Sequence, residues 1–119
     1  MITLKTLGQA TLQEVFDQVA SHLLKQNLRC NEGSVCAYRN SLGMSCAAGC
    51  LIGDDEYTGQ LEGLEWNVLV KEKMVPGDHA GAIKALQNIH DYKTPDYWRE
   101  ALEGFAKGAN LEFRIQDYI

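Results

Sequence analysis

Three of the chain's four cysteines fall within CAYRNSLGMSCAAGC, Cys36 to Cys50, and the fourth, Cys30, lies just upstream. Thiolates serve as metal ligands and as nucleophiles, so this stretch admits several chemistries. Cys30, Cys36, Cys46 and Cys50 together could close a tetrahedral zinc site. Their spacing, C-x5-C-x9-C-x3-C, departs from the turn-shaped ligand pairs of structural zinc sites, which are separated by about two to four residues, everywhere except Cys46 and Cys50. A disulfide joining those two would strain a helical turn, while Cys30 with Cys36 or Cys36 with Cys46 is sterically open. In a reducing compartment a free thiol is the default.

The catalytic reading places Cys46 on the first turn of a helix, where unpaired amides and the macrodipole favour a thiolate. His90 would be its general base and Asp91 or Asp96 the carboxylate that orients the imidazole, giving a cysteine-dependent hydrolase or transferase. The competing reading treats Cys46 and Cys50 as small hydrophobes among Ala47, Ala48 and Gly49, with no chemistry at all. A binding surface is the third use of this neighbourhood. Tyr38, Arg39, Asp54, Asp55, Glu56 and Tyr57 bring amphipathic and charged side chains to the same part of the sequence. The acidic triplet lacks the glycine-punctuated oxygen spacing of a calcium loop, and no phosphate-cradling or dinucleotide motif is present. No cofactor is expected.

The elements that position these residues follow from periodicity. Thr11 and Glu14 have capping-box spacing, and Leu12, Val15, Phe16, Val19, Ala20, Leu23 and Leu24 form the stripe of a helix over about 12–26. His22 sits on the edge of that stripe as a structural histidine. Val35 to Tyr38 and Leu42 to Ser45 flank Arg39-Asn40-Ser41 as a short hairpin, with Gly43 at positive φ. Ser45 caps a short helix from Cys46 to Ile52, and a modest helix surrounds Trp66. Asp78 caps a helix carrying Ala82, Ile83, Leu86, Ile89 and His90 on one face. Thr94 and Pro95 start another, ended by Gly108 or Asn110. Leu111, Phe113 and Ile115 alternate as in a half-buried strand running to Ile119. The expectation is a mostly helical α+β fold with three main helices, a short cysteine-bearing helix and a small hairpin or sheet, in one domain over residues 1–119.

With 45% hydrophobic and 23% charged residues among 119, such a chain can form a core without staples. Its net charge of −5 and scattered basic residues argue against direct nucleic-acid binding. The amino terminus lacks an apolar run of signal-peptide length, so the expected location is cytoplasmic and away from membranes.

Several segments, taken in order, carry a resemblance. They are His22-Leu23-Leu24-Lys25-Gln26, then C-x-Y-R at Cys36 to Arg39, then C-A-x-G-x-L-I-x-D-x-x-Y at Cys46 to Tyr57, then Glu62-Gly63, then L-Q-x-I-H-D at Leu86 to Asp91. This order resembles a set of small, uncharacterised proteins of bacteriophage and prophage genomes, over about Val15 to Leu111. No reaction, cofactor or binding site comes with the resemblance. It implies a setting in the host cell, where small phage accessory proteins bind host proteins or complexes, including CRISPR, restriction and nucleotide-signalling defences. Two variants follow: an acidic inhibitor that occupies a partner's basic groove, and a protein that sequesters a small nucleotide near Tyr38 and Arg39.

Overall fold

The computed structural model describes residues 1–118 and consists mainly of helices, with one two-stranded antiparallel sheet. The elements are α1 (Leu12–Gln26), β1 (Asn31–Glu32), β2 (Val35–Cys36), α2 (Trp66–Lys71), α3 (Ala80–Tyr92), α4 (Pro95–Gly108) and α5 (Ile115–Tyr118). No helix among the described residues is long and apolar enough to cross a membrane.

Helix α1 begins where its capping box predicts. The Thr11 hydroxyl accepts from the Glu14 amide at 3.1 Å, and the Glu14 carboxylate accepts from the Thr11 amide at 2.8 Å. Asn27 ends the helix in the left-handed region, at φ 53°, a conformation asparagine tolerates. The buried stripe of α1 packs against α3, α4 and α5. At its centre Phe16 stacks on Phe105, with centroids 5.8 Å apart, and meets the edges of Phe113 and Tyr118.

Two expected helix details are corrected. Asp78 does not cap α3. His79 holds that position at φ 59°, with no side-chain cap, and its Nε2–H donates to the Ala10 carbonyl at 2.8 Å. The tail from Leu111 does not form a strand either. Residues Ile115–Tyr118 turn into α5, because the Tyr118 hydroxyl reaches Asp17 at 2.6 Å while its ring joins the Phe16 cluster. Ile119, the last residue of that expected strand, lies outside the described residues.

Between α1 and α2 regular structure nearly disappears. The strand pair is Asn31–Glu32 with Val35–Cys36, so its turn falls at Gly33 and Ser34, upstream of the expected hairpin. The segments around Arg39-Asn40-Ser41 do approach one another, but only through a single bridge between Arg39 and Ser45. Asn40 explains the turn, since its side-chain oxygen accepts from the amides of Leu42 and Met44, and Gly43 closes it at φ 82°. The expected helix from Cys46 to Ile52 shrinks to a tight turn and a 3-10 segment at Gly49–Leu51.

Backbone amides and carbonyls in such a segment need partners, and polar side chains from the helices supply them. Gln26 of α1 donates to Ser45 O and accepts from Ser45 N, at 2.8 and 3.1 Å. Gln18 donates to the carbonyls of Ile2 and Cys50 and accepts from Ile2 N. Gln87 of α3 accepts from Ala48 N at 2.9 Å. The middle of the chain is therefore held by glutamine clamps where a larger sheet would use ladder bonds.

Candidate functional site

Helix α3 turns His90 fully inward, where its ring stacks on Trp98 at a centroid distance of 5.4 Å. Its Nε2 accepts from the Cys30 amide at 2.9 Å and therefore carries no proton. Its Nδ1–H donates to Asp91 at 2.8 Å, fixing the neutral tautomer. Gln87 donates to the same Asp91 oxygen at 2.8 Å. Burial works against a charged Asp91, but the His90, Gln87 and Cys36 hydrogen bonds outweigh it and hold its pKa below the usual value. The orienting carboxylate expected from sequence is in place. The lone pair a general base would use is spent on a backbone amide.

Cys46 has a different hydrogen-bond partner from that imidazole. It is 1% exposed, and its sulfur accepts from the Gly49 amide at 3.2 Å. Burial drives its pKa well above the ordinary thiol value, against the opposing pull of the Gly49 N–H. The activated-thiolate geometry of the Cys46/His90/Asp91 reading is not assembled, because the helix that would lower the thiol pKa is only a tight turn. Asp96, the other orienting candidate, is an exposed residue in the first turn of α4.

All four cysteines are free. Burial raises Cys30, helped by the Glu62 charge, to about 11, and raises Cys50 to about 12. Cys36 is the exposed thiol, and it too is raised, first by partial burial and then by Asp91. Among the described residues no group of three or more His, Cys, Asp or Glu side chains is arranged to hold a metal ion, so Cys30, Cys36, Cys46 and Cys50 are not gathered as zinc ligands. These positions give a direct expectation for alkylation with iodoacetamide at neutral pH. Cys36 reacts first and no faster than a model thiol, whereas Cys30 and Cys46 react only when the protein is unfolded in urea. Rapid native labelling of Cys46, read by peptide mass spectrometry, is the result that contradicts it.

The binding residues proposed from sequence divide between two faces and are largely committed. Glu62 accepts from the amides of Tyr38 and Arg39, at 2.9 and 3.1 Å, and from the Tyr57 hydroxyl at 2.6 Å. The Arg39 guanidinium donates to Ile52 O at 2.6 Å, pairs with Asp54 at 2.8 Å and lies 5.1 Å from the Tyr57 ring centroid. Glu56 accepts from the amides of Gly53, Leu4 and Lys5, tying the N-terminal segment to this loop. Asp55 makes only an exposed pair with Lys5 at 2.7 Å. Tyr38 points the other way, its hydroxyl donating to Leu64 O. Tyr38 lines one cleft, with Trp66 and Asp91, and Arg39 lines another, with Asp54 and Tyr57.

His22 is the structural histidine its position predicts. Its Nε2–H donates to Ser45 O at 2.7 Å. Burial lowers its pKa below 6.5, more than the Ser45 carbonyl raises it. The folded state thus prefers the neutral ring, so this contribution to stability is complete above the unfolded pKa of about 6.5 and is lost as pH falls through the lower folded value. Urea midpoints should decline from pH 7 to 5 in the wild type and decline less in His22→Gln, which keeps a donor for Ser45. Parallel pH profiles for the two proteins are the contrary result.

A cleft of about 240 Å³ lies between β2, the 62–66 segment and α3, smaller than the more open depressions beside Gln18 and Cys50, beside Arg39 and Asp54, and beside Val70 and Pro76. Trp66 lines it while being only 2% exposed, and its indole N–H has no hydrogen-bond partner among the described residues, an omission that ordinarily costs about 1–3 kcal/mol. Val35, Leu64 and Tyr92 stand exposed at its rim, and Glu65 and Asp91 add negative charge. Sequence reading counts Trp66 among the amphipathic aromatic residues from which a binding surface could be made, but it does not single out Glu65. The available signal was the run Leu64-Glu65-Trp66, an exposed apolar residue and an acid beside a large buried donor. No protein-family model, curated protein or solved structure matches the chain.

Proposed function

We propose that this chain is a phage-type accessory protein that binds and inhibits, or sequesters, a host factor in the cytoplasm of the infected cell, without catalysis. The host factor is a protein or protein complex of an anti-phage defence system. The observation that carries the reading is the division of labour among side chains. Groups capable of covalent chemistry, Cys46 and His90 above all, serve as internal hydrogen-bond partners, whereas the open cleft presents exposed apolar and acidic side chains. Apolar and aromatic groups at a concave, acidic surface suit recognition of a complementary protein surface. The net charge of −5 adds long-range attraction toward a basic one.

The test compares the wild type with Asn88→Arg, a substitution at an exposed α3 position lining the cleft. Wild type should capture a defined host component from lysate and relieve restriction, CRISPR interference or nucleotide signalling in an infection assay, and Asn88→Arg should lose both effects. No captured component together with no effect in any of the three assays overturns the reading.

A further inference from the structure

The chemistry of the cleft narrows what can occupy it. A volume of about 240 Å³ is below that of pockets that enclose drug-sized ligands or cofactors, roughly 300–1,000 Å³, and suits one long side chain. Three carboxylates line it, from Glu62, Glu65 and Asp91, against one cation, Lys84. Glu62 is saturated by its three internal donors. Asp91 receives both its His90 and Gln87 bonds on the same oxygen and keeps a quarter of its side chain exposed. Glu65 is 71% exposed, and Lys84 reaches it only at 3.6 Å, a loose surface pair. Negative charge is thus left over at the cleft, beside the exposed Tyr92 ring. The buried Trp66 indole forms part of the cleft lining, so its resonance reports on what occupies the cleft.

A peptide segment carrying a basic side chain between apolar ones supplies a cation for the carboxylates and apolar contacts for the exposed rim. We propose that the cleft docks an arginine-bearing, apolar-flanked segment of a protein partner, its guanidinium against Glu65 and Asp91 and its apolar neighbours on Val35, Leu64 and Tyr92. Arginine fits better than lysine because its planar group pairs with carboxylates through a donor fork and stacks on an aromatic face such as Tyr92. The inference rests on the protein-binding reading above and specifies the partner's chemistry.

The chain's two tryptophans provide an internal control. Trp98 Nε1–H already donates to Lys93 O at 3.1 Å, whereas Trp66 Nε1–H is unpartnered among the described residues. The experiment titrates the 15N-labelled full chain with acetyl-Leu-Arg-Leu-amide and, in parallel, acetyl-Leu-Glu-Leu-amide. The arginyl peptide should shift the Trp66 indole resonance saturably and leave that of Trp98 in place, and the glutamyl peptide should shift neither. Glu65→Lys, on an exposed side chain, should weaken arginyl binding about five-fold or more while leaving the thermal melt near that of wild type. Equal response to both peptides, no Trp66 response, or unchanged affinity in Glu65→Lys overturns the proposal. If Asn88→Arg abolishes host-protein capture but the arginyl peptide does not bind, protein binding stands and the basic occupant falls. If the peptide binds but no host component is captured, the occupant chemistry stands and the accessory-protein reading falls.

Discussion

Gly49→Ala is expected to destabilise the protein by about 3 kcal/mol or more and to lower its melting temperature by about 12 °C or more. A methyl group at Gly49 would overlap the Tyr38 carbonyl oxygen, and it would stand 3.0 Å from the carbonyl carbon and 3.3 Å from Cys46 Sγ. That carbonyl cannot simply retreat. It accepts from the Cys46 amide at 3.2 Å, and the flanking amides of Tyr38 and Arg39 are both fixed by Glu62. The chain crosses itself here, with residues 37–39 resting on the 46–49 turn, and only a residue without a Cβ leaves room. Gly104, in the middle of α4, has nothing within 4 Å of the equivalent position. Gly104→Ala should therefore stabilise by about 0.5–1 kcal/mol, through helix propensity alone. Urea and thermal unfolding followed by circular dichroism measure both signs. A Gly49→Ala melt within a degree of wild type would show that the crossing has slack.

This crossing also marks where sequence reading loses its hold. The long helices were legible because their signals are local: the Thr11/Glu14 box, the Thr94-Pro95 start and the apolar stripes all act within a few residues. Gly43 was legible for the same reason, since Asn40 closes its turn within the same short stretch. The strand expected from Leu111 to Ile119 is absent over 111–118, because the period of two at Leu111, Phe113 and Ile115 is equally satisfied by a loop that drops the Phe113 ring onto Phe16 of α1. The middle segment was illegible because its order comes from side chains far away in sequence. Gln26 reads as an ordinary exposed helix residue until Ser45 is placed against it, and Glu62 reads as loop filler until two amides and a hydroxyl converge on it.

The candidate site divides along the same line. Local sequence correctly placed His90 on a buried helix face with Asp91 beside it, which made a catalytic pair plausible. What decides against that role is the Cys30 amide, sixty residues away in the chain, which takes the free nitrogen. Gln26, Arg39, Gly49, Glu56, Glu62, Gln87 and His90 are each tied to the irregular middle of the chain. A fold held by side-chain clamps depends on the identities of its polar residues as strongly as an active site does.

His90→Phe separates these two explanations. Phenylalanine keeps an aromatic ring to stack on Trp98 and is somewhat larger than imidazole, so the core stays filled. It strands the Cys30 amide as a buried donor, at about 1–3 kcal/mol, and removes a charge-assisted bond to Asp91 of about 1.5–3 kcal/mol. The expected loss is about 3–5 kcal/mol, visible as a large fall in the urea midpoint with little change in the slope. Adding Asp91→Asn should recover part of it, because the carboxylate left half-buried beside an apolar ring is then neutral. The double-mutant cycle should give a coupling of about 1 kcal/mol or more. A histidine kept for proton transfer behaves differently: its replacement by another aromatic ring removes an activity and leaves the midpoint near that of wild type. Unchanged stability in His90→Phe would therefore reopen the cysteine-enzyme reading, whereas a collapse that Asp91→Asn partly reverses places His90 among the clamps.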